Sequence, residues 1–234
     1  MSQAALVIAV PSKGRLKEKA AELFERAGYP LRVKGNERGY RGQLEGLADV
    51  EVEYTSAAEI VHQLRAGRVH LGITGEDLVR ETLPDVDGTI EFLKPLGFGH
   101  ADVIVAVPEC WLDVSRMADL EDVAAQFARA HGRRLRVATK YLNLTRRFFA
   151  QKGVTGYRIV ESVGATEATP ATGTSELIVD ITSTGTTLKA NHLKVLEDGL
   201  ILKSQAHLLA AKVADWSARA NELRETILSA ISTK

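Results

Sequence analysis

Apolar residues along the chain alternate between two spacings, one typical of strands and one typical of helices. Residues 4–10 form a continuous apolar run, as expected for a strand that is covered on both faces. Apolar residues then recur every three or four positions from Leu16 to Ala27, which predicts a helix that ends at Gly28. Further strands are predicted at 50–54, 71–73, 103–107, 135–138, 157–160 and 177–181, and further helices from Ser56, over 119–131 and over 143–152. This repeated β-α order predicts an α/β fold.

Glycines cluster between residues 88 and 100 and divide this pattern into two α/β halves, joined near residue 97. Two such halves suggest two lobes with a cleft between them, and clefts of this kind are the usual ligand sites. The tail from Gln205 is predicted to be helical, because apolar residues from Val213 to Ile231 fall three or four positions apart. That helix either packs on its own core or docks another subunit.

The 234 residues include 30 Lys and Arg against 30 Asp and Glu, so the formal net charge is zero. That balance disfavours nucleic-acid binding and membrane-surface binding, since both usually need a basic face. The apolar runs are strand-sized and the first residues lack the features of a signal peptide, so no membrane segment is expected. Cys110 is the single cysteine, which points to a reducing cytoplasm. The six histidines share no ligand spacing, so no protein metal site is expected.

The most informative motif lies between Glu176 and Leu188, where an apolar strand ends in Asp180 and a loop of small hydroxyl residues follows. Thr184, Gly185, Thr186 and Thr187 could converge on a phosphate monoester through hydroxyl and backbone N–H donors. Asp180 would face ribose hydroxyls or a magnesium-bound group, because a carboxylate repels phosphate. The alternative interpretation is a Thr-rich solvent loop with helix-capping residues.

Two further strand-to-helix turns carry candidate residues. Lys13 and Arg15 could neutralise a pyrophosphate or triphosphate at the start of the first helix, or they are ordinary surface charges. Thr74, Gly75 and Asp77 follow another short strand, where the alternative is simple helix capping.

Lys140 and Tyr141 lie just past a predicted strand end, where α/β proteins place ligands. The neighbouring Arg146 and Arg147 are equally compatible with a solvated helix face, and the aromatic residues after them with a core.

Together these motifs resemble the ATP phosphoribosyltransferase family, which catalyses the first step of histidine biosynthesis. The resemblance covers residues 7–210 and rests on four segments: PSKGRL at 11–16, LGITGED at 71–77, RVATKYLNLTRRFFAQKG at 136–153 and DITSTGTTLKAN at 180–191. Glu167 also keeps the spacing of a family stretch. Thr182 and Ser183 depart from the family pattern, in which Val-Glu is common at these positions.

The resemblance implies a two-lobed fold of the periplasmic-binding-protein type II kind, with an active-site cleft between the lobes. Lobe one would comprise residues 1–96 with 193–234, and lobe two residues 97–192. The reaction would be attack of ATP N1 on C1 of phosphoribosyl pyrophosphate, with magnesium carried by the pyrophosphate. Arg15 and Asp180 would be catalytic, and the substrate contacts would come from Lys13, Thr74, Gly75, Asp77, Lys140, Tyr141, Glu167 and Thr184 to Thr187.

In its length, the chain resembles the short form of the family. The resemblance implies that it works with a regulatory subunit similar to histidyl-tRNA synthetase. A homodimer within a hetero-oligomer is therefore expected. Two other functions stay open: a non-catalytic two-lobed binding module, and a base-salvage phosphoribosyltransferase. The salvage enzymes use a similar acid-then-loop motif but usually carry two adjacent acids, whereas Asp180 stands alone in its segment.

Overall fold

A computed structural model describes residues 4–33 and 40–232. The strands are β1 (Leu6–Pro11), β2 (Leu31–Val33), β3 (Arg41–Leu44), β4 (Val50–Thr55), β5 (Leu71–Gly75), β6 (Ile90–Pro95), β7 (Ala101–Pro108), β8 (Leu135–Thr139), β9 (Tyr157–Glu161), β10 (Leu177–Thr182), β11 (Leu193–Ser204) and β12 (Ala206–Ala211). The helices are α1 (Gly14–Arg26), α2 (Ala57–Arg65), α3 (Glu76–Thr82), α4 (Val86–Thr89), α5 (Met117–His131), α6 (Leu142–Gln151), α7 (Thr186–Ala190) and α8 (Ala218–Ser232). A 3-10 helix covers Thr166–Ala168.

The chain forms two compact units, one of residues 1–99 with 205–234 and the other of residues 100–204. The second unit extends to residue 204, beyond the predicted return to the first lobe at residue 193. Residues 193–204 form β11, which pairs antiparallel with β7 of the second unit along most of its length. A β-bulge interrupts this pairing after Val195, which hides the strand's alternation from sequence analysis.

The first unit is built on a seven-stranded sheet in the order β2-β3-β4-β1-β5-β12-β6. Its first strand, β1, lies between β4 and β5 and runs parallel to both, which explains the continuous apolar run of its sequence. Because these three strands are parallel, their carboxyl ends share one edge of the sheet. The turns after them begin α1, α2 and α3, and Ser56 caps α2 by accepting a hydrogen bond from the N–H of Glu59.

The tail of the chain departs from the expected continuous helix. Ala206–Ala211 is the strand β12, buried along its whole length between β5 and β6, and α8 begins only at Ala218. A short apolar run buried on both faces has no periodicity that separates strand from helix. The pattern therefore predicted a helix where the structure has a strand. The buried face of α8, which includes Leu223, Ile227 and Ile231, packs on the core of its own unit.

The second unit is built on a five-stranded sheet in the order β11-β7-β10-β8-β9. Its central strand, β10, runs parallel to β8 and antiparallel to β7. One main core fills the face covered by α5 and α6, with Phe149 and Val179 among its buried residues. The loops that follow β8, β9 and β10 therefore lie at one edge of this sheet, since all three strands are parallel.

No helix among the described residues is both long enough and apolar enough to cross a membrane.

Candidate functional site

A pocket of about 340 Å³ lies at this edge of the second sheet, around the loop that follows β10. Seven of its ten lining residues have polar side chains, and the lining comes from one continuous segment together with a single residue of the 3-10 helix. The lining residues are Glu167 and Asp180 to Leu188. The structure thus brings six of the residues singled out in the sequence, Glu167, Asp180 and Thr184 to Thr187, to one place.

Asp180 is half-buried near the end of β10, and one of its carboxylate oxygens accepts a hydrogen bond of 2.8 Å from the N–H of Ile181. Burial raises the pKa of Asp180 above its ordinary value, because it disfavours the charged form. The Ile181 N–H and the positive charge of Lys140 act in the opposite direction, while the negative charge of Glu167 raises the pKa of Asp180 further. Two acids and one cation therefore act on the same part of the pocket.

The loop after Asp180 is a tight turn that leads into α7. Gly185 sits in the left-handed region with φ of +72° and is the N-cap of that helix. The hydroxyl oxygens of Thr184 and Thr186 are 3.0 Å apart, and both side chains, like that of Thr187, are exposed. The turn therefore offers hydroxyl groups and the first N–H groups of a helix to the pocket, a combination that suits a phosphate group.

Glu167, on the short 3-10 helix, also lines the pocket. Ala165 precedes it with φ of +49°, and the Thr166 hydroxyl donates a 3.0 Å hydrogen bond to the Ser162 hydroxyl oxygen. The backbone of this segment is thus fixed next to Glu167. Asp180 belongs to the β10 motif, and the pocket brings together with it a second acid, Glu167, 13 positions earlier in the chain.

Lys140 and Tyr141 follow β8 at the same edge of the sheet, but the two side chains differ. Lys140 is exposed, and its ammonium nitrogen lies 5.0 Å from the centre of the Tyr141 ring. Tyr141 is 1% exposed and belongs to the core of the second unit. The substrate contact expected of Tyr141 stays a prediction, and its ring belongs to the core directly beside Lys140.

The remaining candidates belong to the first unit. Lys13 and Arg15 follow β1, are both exposed, and form no ion pair with any residue in the described ranges. Gly75 is the N-cap of α3 and is partly exposed. Thr74 is fully buried, and its hydroxyl donates a 2.8 Å hydrogen bond to the carbonyl of Ala57.

Asp77 is also buried, at 7% exposure. The substrate contacts expected of Thr74 and Asp77 stay predictions, and the side chains of both residues are buried in this structure. The strand-end position of these residues was readable from the sequence, but the inward direction of their side chains was not.

Thr182 and Ser183 also line the pocket, although neither was predicted to be a site residue. Thr182 accepts a 3.0 Å hydrogen bond from the N–H of Gly185, and Ser183 donates a 2.8 Å hydrogen bond to the carbonyl of His100. The signal that marked them was their departure from the family pattern. Within the described ranges, no group of three or more His, Cys, Asp or Glu side chains could hold a metal ion.

Comparison with known proteins gives a consistent result. A model of the ATP phosphoribosyltransferase family matches residues 56–232. A protein of Rhodopseudomonas palustris (strain BisB18) named ATP phosphoribosyltransferase is 59% identical over 228 residues, which are 97% of this chain and 70% of that protein. A protein of the same name from Chelativorans sp. (strain BNC1) is 61% identical over 208 residues, which are 88% of this chain and 90% of that protein.

Solved structures agree on the fold. The structure of an ATP phosphoribosyl transferase (HisG:HisZ) complex from Thermotoga maritima contains a chain with a TM-score of 0.74 and 23% identity, covering 98% of this chain and 100% of that one. A histidine kinase sensor domain with similarity to periplasmic binding proteins gives a TM-score of 0.54 at 12% identity, covering 98% and 89%. The expected α/β fold of the periplasmic-binding-protein kind is thereby confirmed. The matching family model and these relatives show that the chain belongs to the ATP phosphoribosyltransferase family.

Proposed function

We propose that this protein condenses ATP with phosphoribosyl pyrophosphate to give phosphoribosyl-ATP and pyrophosphate, the first step of histidine biosynthesis. Membership of the family supports the reaction. The observation that carries the site assignment is the pocket in which Asp180, Glu167 and the hydroxyl-rich turn meet. We assign the turn from Thr184 to Thr187 to the 5′-phosphate, because it presents hydroxyl and N–H donors and no acid.

The carboxylates have a different part in this proposal. In the reaction, N1 of ATP forms a bond to C1 of the ribose while the bond from C1 to the pyrophosphate oxygen breaks. Positive charge develops at C1 and on the ring oxygen, and a carboxylate beside the ribose stabilises that charge. We assign this role to Asp180 because it lies near the end of β10, the strand directly before the phosphate turn. Glu167 would bind ribose hydroxyls from the opposite side.

The departing pyrophosphate needs cations. Lys13 and Arg15 are the proposed partners in the first unit, because both are exposed at the amino end of a 13-residue helix and are not engaged by described acids. Lys140 is the proposed cation in the second unit, since its charge already acts on Asp180. Gly75 is retained as a backbone contact at the end of β5, the strand next to β1.

Magnesium fits this residue set as an ion carried by the substrate. Mg²⁺ prefers oxygen ligands, keeps several waters, and binds proteins through one or two carboxylates plus substrate phosphates. Asp180 and Glu167 supply two carboxylates in one pocket, which matches that pattern. When bound, the ion would neutralise part of the charge of the leaving pyrophosphate.

The proposed assembly is a homodimer of this chain joined to a regulatory subunit similar to histidyl-tRNA synthetase. Its support is the resemblance to the short form and the fold shared with a chain of the Thermotoga maritima complex. A cytoplasmic location fits the substrates, and the free, exposed thiol of Cys110 suits a reducing compartment.

The decisive experiment mixes the purified protein with ATP, phosphoribosyl pyrophosphate and Mg²⁺ and detects phosphoribosyl-ATP by chromatography and mass spectrometry. We expect one pyrophosphate released for each product molecule formed. A parallel panel in which free purine and pyrimidine bases replace ATP should give no product. Product formation with a free base but not with ATP would make the protein a salvage enzyme and refute the proposal.

The same assay tests the partner. We expect histidine to inhibit the reaction when the candidate regulatory subunit is present, and to have no effect on this chain alone. Inhibition of this chain alone at the same histidine concentration would contradict the assembly, while leaving the proposed reaction intact.

A further inference from the structure

The hydroxyl groups of the phosphate turn are used in different ways. Thr184, Thr186 and Thr187 are exposed and line the pocket, whereas Thr182 is half-buried at the end of β10. The Thr182 oxygen is already engaged, because it accepts the hydrogen bond from the N–H of Gly185. Thr184 and Thr186 also contact each other, through their hydroxyl oxygens at 3.0 Å and through the N–H of Thr186, which lies 3.5 Å from the Thr184 oxygen. Of the four threonines, Thr182 is therefore the one that ties the N–H of Gly185 back to β10.

The hydrogen bond from the N–H of Gly185 to Thr182 fixes the residue at which the turn passes into α7. Gly185 is the N-cap of α7 and has a positive φ, and its carbonyl accepts the first helical hydrogen bond, from the N–H of Lys189 at 3.0 Å. When the N–H of Gly185 is tied back to Thr182, the N–H groups that follow it are fixed in direction. Without that tie, a turn of exposed residues would have to be ordered when the ligand binds, at a cost in conformational entropy.

Thr182 and Ser183, which lie directly before the turn, are themselves fixed to the strand next to β10. Thr182 pairs with Asp102 at the end of the ladder between β10 and β7, and the next residue, Ser183, donates its hydroxyl hydrogen bond to the carbonyl of His100. Both connections lead to the start of β7. Thr182 is thus fixed by the sheet on one side and fixes Gly185 on the other.

We propose that Thr182 is a positioning residue, which preorganises the turn from Thr184 to Thr187 for the phosphate monoester of the substrate through the N–H of Gly185. This inference rests on the proposed function, since it assigns a task within the same site. If a protein binds its ligand only in the fraction of molecules with a formed turn, a lower fraction raises the apparent dissociation constant in proportion. Loss of the Thr182 hydroxyl should therefore weaken binding of the phosphoribosyl substrate and leave ATP binding unchanged.

The test compares Thr182→Val with Thr182→Ser. Valine has nearly the same shape and is favoured in strands, so β10 keeps its end, but it offers no acceptor to Gly185. We expect Thr182→Val to raise the KM for phosphoribosyl pyrophosphate about fivefold, the equivalent of about 1 kcal/mol for one hydrogen bond, with the KM for ATP unchanged. Thr182→Ser restores the acceptor and should bring the KM back to within about twofold of the wild-type value.

A matched control removes a similar hydroxyl elsewhere in the same unit. Thr155 is exposed, and its hydroxyl donates a 3.0 Å hydrogen bond to Glu121, outside the pocket lining. Thr155→Val should leave both KM values unchanged. Amide hydrogen exchange supplies an independent readout: exchange at the N–H of Gly185 should accelerate in Thr182→Val and slow again in Thr182→Ser.

Titration with ribose 5-phosphate separates this inference from the proposed reaction. The wild-type protein should bind this phosphate monoester about five times more tightly than Thr182→Val, whether or not the protein turns over ATP. Binding without any phosphoribosyl-ATP formation would refute the reaction and still support the positioning role. Equal ribose 5-phosphate affinities and equal KM values in wild type and Thr182→Val, or a Thr182→Ser variant no better than Thr182→Val, would overturn the positioning role.

Discussion

Asp180 is surrounded by groups that move its pKa in opposite directions. Burial raises the pKa, and so does the negative charge of Glu167, whereas the N–H of Ile181 and the cation of Lys140 lower it, with a net rise. If the ionised carboxylate is the active form, activity falls on acidification as Asp180 gains a proton. The raised pKa therefore places this loss at a higher pH than an unperturbed aspartate would give.

Substitutions of the two charged neighbours should shift that loss in opposite directions. Lys140→Met removes a cation that favours the carboxylate, so the inflection in the pH profile of kcat/KM should move to higher pH. Glu167→Gln removes a repelling charge, so the inflection should move to lower pH. The control Lys152→Met removes a cation that pairs with Asp198 and should leave the inflection in place. Shifts of the same sign in both test variants would rule out Asp180 as the titrating group.

The residues of this pocket show which part of a site can be predicted from sequence. Asp180 and Thr184 to Thr187 were predictable because they are contiguous and follow a strand, and the end of a strand fixes where the loop lies. Thr74 lies near the end of β5 and Tyr141 follows β8, yet both side chains are buried. Which way a side chain turns at a strand end depends on packing partners from distant segments, and one sequence does not show these.

The strands also differ in how far the sequence predicts them. Five strands were not predicted: β2, β3, β6, β11 and β12. Of these, β12 was missed because it is buried on both faces, and β11 because a bulge interrupts its pairing. The parallel strands β1, β4 and β5 were all predicted, because their apolar residues form continuous or alternating runs in the sequence. Long-range pairing therefore decided the elements that the local pattern left undetermined.

One acid ties three segments of the second unit together. Glu176 accepts hydrogen bonds from the N–H and the guanidinium group of Arg136, at 2.7 Å each, and from the guanidinium group of Arg133 at 3.0 Å. Arg136 also donates to the carbonyl of Gly173 at 2.7 Å. The cluster therefore fastens the segment that leads from Glu167 to β10 onto β8.

Glu176→Gln should lower the free energy of unfolding by about 2 kcal/mol at pH 7, since hydrogen bonds to charged groups contribute about 1.5–3 kcal/mol. Burial opposes ionisation of Glu176, but the hydrogen bonds from Arg136 and Arg133 outweigh it and lower its pKa from 4.5 to about 2. A carboxylate with a lowered pKa stabilises the fold above its unfolded-state pKa and loses this effect as the pH falls through its folded-state pKa. The difference between wild type and variant should therefore shrink as the pH falls from 4.5 towards 2.

Urea unfolding at several pH values measures this difference. The control is Glu197→Gln, because the ion pair of Glu197 with Arg116 has both side chains more than 60% exposed. Exposed pairs contribute at most about 1 kcal/mol, so this variant should stay close to wild type. A difference between Glu176→Gln and wild type that is constant from pH 7 to pH 2 would show that the charge of Glu176 is not what stabilises the cluster.

At the scale of the whole molecule, a chain with zero net charge is proposed to bind two highly anionic substrates. Attraction by the field of the whole protein does not account for this, so the cations must act locally. Two cations of α1 separate the local effect from the global one. Arg15 is exposed at the start of the helix without a described ion-pair partner, whereas Lys19, one turn later, pairs with Glu22 at 2.7 Å.

Arg15→Ala and Lys19→Ala change the net charge of the chain equally, by one unit each. If Arg15 binds the pyrophosphate, its loss removes charge-assisted hydrogen bonds, and kcat/KM for phosphoribosyl pyrophosphate should fall about tenfold to a hundredfold. Lys19→Ala should stay within about twofold of wild type, because its charge is already matched by Glu22 and screened by solvent. Equal losses in the two variants would mean that the overall field attracts the substrate, and a loss in neither would remove Arg15 from the site. Steady-state kinetics at two ionic strengths completes the test, since a field effect weakens steeply with added salt and a direct contact weakens less.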